Sequence, residues 1–285
     1  MKKLINNCSI ALILASFGLT SCVKKFDPKT YAPALNINGY TSSGQVATSN
    51  LVAHWTFNNT LADSASEGTT GVATGTSFTN GLSGFGQGLQ GANNGYVLTD
   101  IPSAIQSLHS FTISLWYNMP ENTTGIVNLV DVANNQYFWG NLDIFIENPP
   151  NPTTGQLKVH MFNNGGSSTG TDLWAGDYTI NNAYNAWNQI TVSYNDTTAT
   201  AKVYYNGSLI GTQSQSGFAP LNWTGAKQMV FGTVQFQTNP SLTTATGSQS
   251  WASYLVGTMD EVRVYNRVLT TIEVNSLAGL QRRGK

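Results

Sequence analysis

Short runs of alternating apolar and polar residues, each broken off by turn residues, dominate this chain. They leave strands as the main regular element it can form. Phe111, Ile113, Leu115 and Tyr117 fall on one side of such a run, and Thr112, Ser114 and Trp116 on the other. A period of two places alternate side chains on opposite faces of a sheet. Comparable runs occupy residues 51–57, 125–132, 142–146, 157–162, 187–194, 201–205, 228–231 and 254–265. In the last of these, Val262 and Val264 share one face and Arg263 and Tyr265 the other. Asn206-Gly207 is a type I′ hairpin signal, because both residue types accept positive φ. Only residues 270–280 read as a helix. Ile272, Leu277 and Leu280 would dock it, and Thr270 or Thr271 with Glu273 gives a partial capping signal. Many short strands and frequent turns predict an all-β sandwich of two antiparallel sheets with a short C-terminal helix.

The first residues stand outside that pattern. Lys2 and Lys3 precede an apolar run at residues 10–15 that is too short for a permanent membrane span. The run leads into Leu19-Thr20-Ser21-Cys22, which looks like a bacterial lipobox: small residues before a cysteine whose thiol accepts the lipid. Residues 1–21 are therefore expected to be a lipoprotein signal peptide and Cys22 the lipidated start of the mature chain. The expected location is the cell envelope, as an outer-membrane lipoprotein facing the periplasm or the exterior, with the membrane reached through Cys22. Cys8 would leave with the signal, so no disulfide is expected. Residues 22–50 lack sustained periodicity and read as a flexible tether. The folded domain is expected over residues 51–285.

Charged residues make up 9% of the chain against a typical ~25%, and no basic patch stands out. Nucleic acid is accordingly not an expected partner.

Four motifs occur in order. The first is His54-Trp55-Thr56-Phe57 with a following Asp63-Ser64 turn. Next come Gly86-Gln87-Gly88-Leu89, Gly95-Tyr96-Val97 and the run at residues 111–116. The third joins residues 187–194 to Val203-Tyr204-Tyr205-Asn206-Gly207. The fourth is the closing stretch, residues 255–269, with Asp260-Glu261 at its start. Together they span residues 51–280 and resemble the LamG-like jelly-roll domains of the concanavalin A-like lectin/glucanase superfamily. The resemblance implies a jelly roll and a glycan or glycoconjugate partner. It does not by itself choose a function, because the fold hosts lectins, hydrolases and adhesive modules alike.

Glycosidases of that superfamily place three acidic residues on one strand face. The nearest counterpart is the run 141–147, where Asp143 and Glu147 share a face opposite Leu142, Ile144 and Ile146. Asn141 occupies the nucleophile position, and an amide cannot attack a sugar in chemistry that needs two carboxyl groups roughly 5 Å apart. His54, His109 and His160 lack metal-ligand spacing. No catalytic residue is expected.

The resemblance also implies a structural Ca²⁺ where the first loop meets the last strand, with Asp63 and Asp260 at the matching positions. Ordinary turn chemistry at Asp63, and pairing of Asp260 with Arg263 or Lys227, is the competing reading.

Sugars present flat CH faces that stack on aromatic rings, while amides and carboxylates satisfy their hydroxyls. Trp55, Trp116 and Trp187 lie in strands and are assigned to packing. Trp139, Trp174, Trp223 and Trp251 lie near strand ends or in polar loops. Tyr137, Trp139 and Asn141, with Asp172 and Trp174, combine aromatic and polar groups best and are the expected ligand-binding residues. The function expected is a lipid-anchored extracytoplasmic carbohydrate-binding module without catalysis. A structural or adhesive envelope protein that binds another protein is the alternative, and a glycoside hydrolase stands behind both.

Overall fold

The computed structural model describes residues 35–65, 68–148, 151–164 and 169–285. Cys22, the signal segment and the first part of the expected tether lie outside the described residues. The folded unit is Asn36–Lys285.

The strands in chain order begin with β1 (Leu51–Trp55), β2 (Val72–Thr74), β3 (Ser77–Asn80), β4 (Gln87–Gln90) and β5 (Tyr96–Asp100). Then come β6 (Phe111–Asn118), β7 (Ile126–Val132), β8 (Leu142–Glu147), β9 (Thr154–Asn163), β10 (Thr171–Asn181) and β11 (Asn188–Asn195). The last are β12 (Thr200–Tyr205), β13 (Ser208–Ser214), β14 (Gln228–Phe231), β15 (Ala252–Ser253) and β16 (Thr258–Tyr265). They form two sheets. Sheet one runs β13-β12-β11-β6-β16-β4-β3, with β1 also on β16. Sheet two runs β10-β9-β8-β7-β14-β5-β2, with β15 alongside β7. Pairing is antiparallel throughout except for the short parallel contact of β15 with β7. The all-β jelly-roll sandwich with a short C-terminal helix is thus the architecture found.

Period-two patterning explains the layers. Phe111, Ile113, Leu115 and Tyr117 of sheet one meet Leu142, Ile144 and Ile146 of sheet two in one continuous core. Val262 and Val264 join that core, and Arg263 and Tyr265 lie outside it, as alternation requires. Asn206 and Gly207 have φ of 53° and 84°, the conformation a type I′ turn demands between β12 and β13.

β16 holds sheet one together. One edge pairs with β6; the other serves β4 through Thr258 and Met259, then β1 through Val262 to Tyr265. The changeover is a bulge at Asp260 and Glu261, where the register with β6 slips and Glu261 takes φ of 52°.

The C-terminal helix, Thr271–Gln281, starts at the Thr270 cap. The Thr270 side chain accepts from the Glu273 amide while the Glu273 carboxylate accepts from the Thr270 amide. This helix covers the outer face of sheet one, where Gln281 receives the Trp116 indole N–H at 2.8 Å and the Gln189 amide at 3.0 Å. The segment before β1 covers the same side. Ser43 donates its backbone N–H to the Lys285 carbonyl at 3.0 Å, Arg263 donates to the Ser43 carbonyl at 3.1 Å, and Val46 is buried. Residues 43–46, read from the sequence as part of the tether, thus pack on the sandwich.

Candidate functional site

Sheet two turns a different outer face to its surroundings. In β8, with Leu142, Ile144 and Ile146 facing the core, Asp143, Phe145 and Glu147 point outward. Cross-strand pairing continues the line. Asp131 of β7 stands opposite Asp143, Asp143 opposite His160 of β9, and His160 opposite Trp174 of β10. An aspartate pair, a histidine and a tryptophan thus form one row across four strands.

The row is polar, buried and internally bonded. His160 Nδ1 lies 3.0 Å from Asp143 Oδ2, and its Nε2 lies 2.7 Å from Asp172 Oδ1. Burial alone would lower the His160 pKa, but hydrogen bonds to the accepting carboxylates of Asp143 and Asp172 outweigh it and raise the net value. Burial, reinforced by the neighbouring Asp143 charge, pushes Asp131 well above the usual carboxylate range. Asp143, Asp131 and His160 are all fully buried, whereas the Asp172 carboxylate reaches the surface.

Aromatic side chains roof this row. Trp139 stacks on Phe145 with centroids 5.5 Å apart and ring planes 7° apart. Trp139 also meets Trp174 edge-on at 5.5 Å and Trp251 at 6.0 Å. His160 backs Trp174 at 4.2 Å. Trp174 and Trp251 remain 43% and 40% exposed, which marks them as the outer members of the cluster. Tyr137 stacks flat on Phe162 at 3.7 Å, and its hydroxyl lies 3.4 Å from Asp172 Oδ2. The product is an aromatic ledge with a carboxylate and a phenol at one end.

Trp174 stands on β10, two loops deliver Tyr137, Trp139 and Trp251, and one buried glutamine clamps those loops together. Gln235 donates its amide to the carbonyls of Tyr137 at 2.8 Å and Phe138 at 3.0 Å. Its own backbone N–H donates to Asp131 Oδ2 at 2.6 Å. Thr243 adds a hydroxyl bond to the Tyr137 carbonyl at 2.7 Å. The loop before β8 is fixed on its far side by Asn141, whose amide donates to the Phe162 carbonyl at 2.7 Å.

Four of the five expected ligand residues come together here: Tyr137, Trp139, Asp172 and Trp174. Asn141 departs from the expectation. It is 1% exposed and its amide is committed to the Phe162 carbonyl and Asn164 Oδ1, so it supports the loop from beneath. Trp251, His160 and Gln235 belong to the site although sequence reasoning did not place them in it. Trp223 is buried against Phe111 in the core, and Trp187 is half-buried just before β11. Asp143 and Glu147 share a face as read, but Asp143 is closed off by His160 and Glu147 pairs with Lys158 at 3.0 Å.

Asp63 and Asp260 lie in backbone cradles. Asp63 Oδ1 accepts from the amides of His54 at 2.7 Å and Ala65 at 2.9 Å, which is turn chemistry. Asp260 accepts from Leu82 N and Glu261 N, both at 2.7 Å, and burial raises its pKa to about 8. Among the described residues, no three His, Cys, Asp or Glu side chains are grouped to hold a metal ion. Both carboxylates thus already accept two backbone N–H bonds each.

Comparison with known proteins agrees with this architecture. A family pattern described as the concanavalin A-like lectin/glucanases superfamily matches residues 90–275. Among curated proteins no relative matches. Domain 4 of AbnA, a GH43 extracellular arabinanase from Geobacillus stearothermophilus solved with arabinotriose, superposes with a TM-score of 0.54 at 22% identity. That match covers 80% of this chain and 98% of the domain. The binding domain of Paraclostridial Mosquitocidal Protein 1 gives 0.59 at 18% identity, covering 81% of this chain and 52% of its own. The Botulinum neurotoxin DC binding domain in complex with SialylT gives 0.55 at 17% identity, covering 83% and 52%. This chain therefore spans about half the length of the toxin binding domains. At these identities the superpositions speak to fold alone. With a family pattern matched over 90–275 and the sandwich built as described, this chain belongs to the concanavalin A-like lectin/glucanases superfamily.

Proposed function

We propose that the protein is a carbohydrate-binding module, held at the cell envelope by a lipid on Cys22, and that Trp139, Trp174 and Trp251 form its sugar platform. The observation that carries this reading is the exposure of Trp174 and Trp251 on either side of Trp139, beside the reachable carboxylate of Asp172. Large rings left open to water above a rigid, bonded base suit the apolar face of a pyranose or furanose, and Asp172 with the Tyr137 hydroxyl supplies hydroxyl partners. Relatives in fold include a domain solved with arabinotriose and a toxin domain solved with a sialylated ligand, which supports a glycan as the ligand class.

A binding role without catalysis is favoured by the fate of the acids. Asp143 is sealed under the aromatic roof and Glu147 is tied to Lys158, so these two carboxyl groups do not form the open pair that glycoside hydrolysis needs.

Titration calorimetry or a glycan array with Trp174→Ala and Trp251→Ala tests the platform. Binding to at least one polysaccharide is expected in the parent chain, with a loss of about 2 kcal/mol, roughly thirtyfold in Kd, in each variant. Binding unchanged in both variants would move the site elsewhere, and co-purification of a stoichiometric protein partner that masks Trp174 would favour the adhesive alternative. Fractionation of cells carrying Cys22→Ala tests the anchor: the variant should leave the membrane fraction.

A further inference from the structure

The loop that brings Trp251 to the ledge also walls a cavity at the other edge of sheet two. The cavity has a volume of about 520 Å³, within the roughly 300–1,000 Å³ typical of small-ligand clefts. Thr74 of β2, Asn94, Tyr96 of β5, Asn239, Ser241 and Tyr254 are among its lining residues. No platform tryptophan lines the cavity, although Ser248 and Tyr254 of its wall lie three residues either side of Trp251.

The lining has a specific chemistry. It contains no charged residue, so phosphate, sulfate or carboxylate groups would find no counter-charge. Its surface mixes amide and hydroxyl groups with a somewhat larger share of carbon, which suits a ligand that is neither purely apolar nor charged. Both tyrosines have their hydroxyls occupied. Tyr96 donates to the Asn239 carbonyl at 3.2 Å and accepts from the Asn239 N–H at 3.0 Å, and Tyr254 donates to the Gln237 carbonyl at 2.9 Å. These bonds fix the loop; Tyr96 is buried, and the half-buried ring of Tyr254 is the aromatic face left for a ligand. The side chains of Thr74, Asn94 and Asn239 hydrogen-bond to no other described residue, so their polar groups are available. A fixed ring, available amides and a neutral wall are the elements that recognise a ring carrying several hydroxyl groups.

We infer that this cavity is a second binding site, for a short neutral saccharide, separate from the aromatic ledge. It shares a ligand class with the proposed function but no residue with the platform.

Two substitutions address the cavity with little strain on the fold. A Cβ at Gly247, which also lines the cavity, would meet nothing within 4 Å, so Gly247→Leu adds bulk at the wall from an unhindered first carbon. Asn94 has φ of 59°, and Asn94→Gly removes the amide while keeping that conformation accessible. The experiment is titration calorimetry of the full chain with arabinotriose, cellotriose and maltotriose, alongside tryptophan fluorescence as a reporter of the ledge. Two equivalents are expected to bind in the parent chain. One should be lost in Gly247→Leu, and the cavity affinity weakened in Asn94→Gly, with the fluorescence response retained in both. The Trp174→Ala, Trp251→Ala double variant should keep one equivalent. A Gly247→Leu isotherm identical to the parent overturns the inference, as does the absence of heat with all three sugars. Loss of all binding in the double tryptophan variant overturns it too while sustaining the ledge. Loss of all binding in Gly247→Leu, with none lost in the double variant, sustains the cavity and removes the ledge.

Discussion

The two sheets carry comparable outer faces that are finished in different ways. Sheet one presents Trp116, Ser114, Gln189 and Arg263 away from the core; sheet two presents Trp174, His160, Asp143 and Asp131. On sheet one the C-terminal helix and the segment before β1 close over the face, and Trp116 ends fully buried with its N–H on Gln281. Sheet two receives only loops, and they stop short of Trp174 and Trp251. A tryptophan on an outward face is therefore not in itself a binding residue. What separates the two is whether the flanking chain supplies a cover, and here those segments went to one sheet.

The largest test of that contrast is a pair of truncations. Trp116→Ala should lower unfolding free energy in urea by about 3–5 kcal/mol, the usual range for a buried aromatic. Trp174→Ala should lower it far less. Equal losses would break the comparison and make Trp174 a core residue. Next in size is Gln235→Ala, which strips the clamp from both ledge loops. It should cost about 1–3 kcal/mol by leaving buried partners unpaired, and it should weaken glycan binding without touching a ring. Undiminished affinity would show that packing alone holds the ledge.

A further contrast concerns pH, read through Asp260 on sheet one and His160, beside Asp131, on sheet two. His160 and Asp260 are both raised above their unfolded values. Each holds its proton more tightly when folded, so its contribution is complete below the unfolded pKa and is lost as pH rises through the folded one. For Asp260 the window runs from the ordinary aspartate value, near ~3.9, up to about 8. For His160 it opens near ~6.5 and extends upward. Melting temperature should accordingly fall from mildly acid to mildly alkaline pH. Asp260→Asn should flatten the broad slope, and His160→Gln only its upper part. A melting temperature that climbs over that interval would contradict both assignments. The smallest expected response is to chelator. With Asp63 and Asp260 bonded to backbone amides, EDTA should leave the melting temperature where it was, and a clear drop would restore calcium at those two residues.

Strands with clean alternation were legible from the sequence, and so were the Asn206-Gly207 turn and the Thr270 cap, because each rests on local chemistry. β2 and β3 were not, since short edge strands with largely exposed side chains carry no period-two signal, and β4 and β5 showed only as the short motifs at residues 86–89 and 95–97. β10 was also missed. Its register shifts between Ala175 and Tyr178, which interrupts alternation, so Asp172 and Trp174 read as a loop when they stand on a strand. Within the site, Tyr137, Trp139, Asp172 and Trp174 could be named from their mixture of ring and polar groups. His160 could not, because its role depends on Asp143 and Asp172 meeting it from two other strands. Trp251 reaches the ledge from more than a hundred residues beyond Trp139, and no local pattern reports such a meeting. Asn141 shows the converse: a polar residue in the right neighbourhood, spent on holding its own loop.

The bulged strand β16 has a consequence for how the protein is made. It follows β1, β4 and β6 in the chain, yet it is the strand on which all three pair. Until residues 258–265 have been synthesised, β1 has nothing in sheet one to join, and β4 and β6 each expose an unmade edge. The contacts that close the sheet span some two hundred residues, which makes them slow to form. A nascent chain arrested before Thr258 should stay loose and sensitive to protease, and release of the final strand should act as the latch that completes folding.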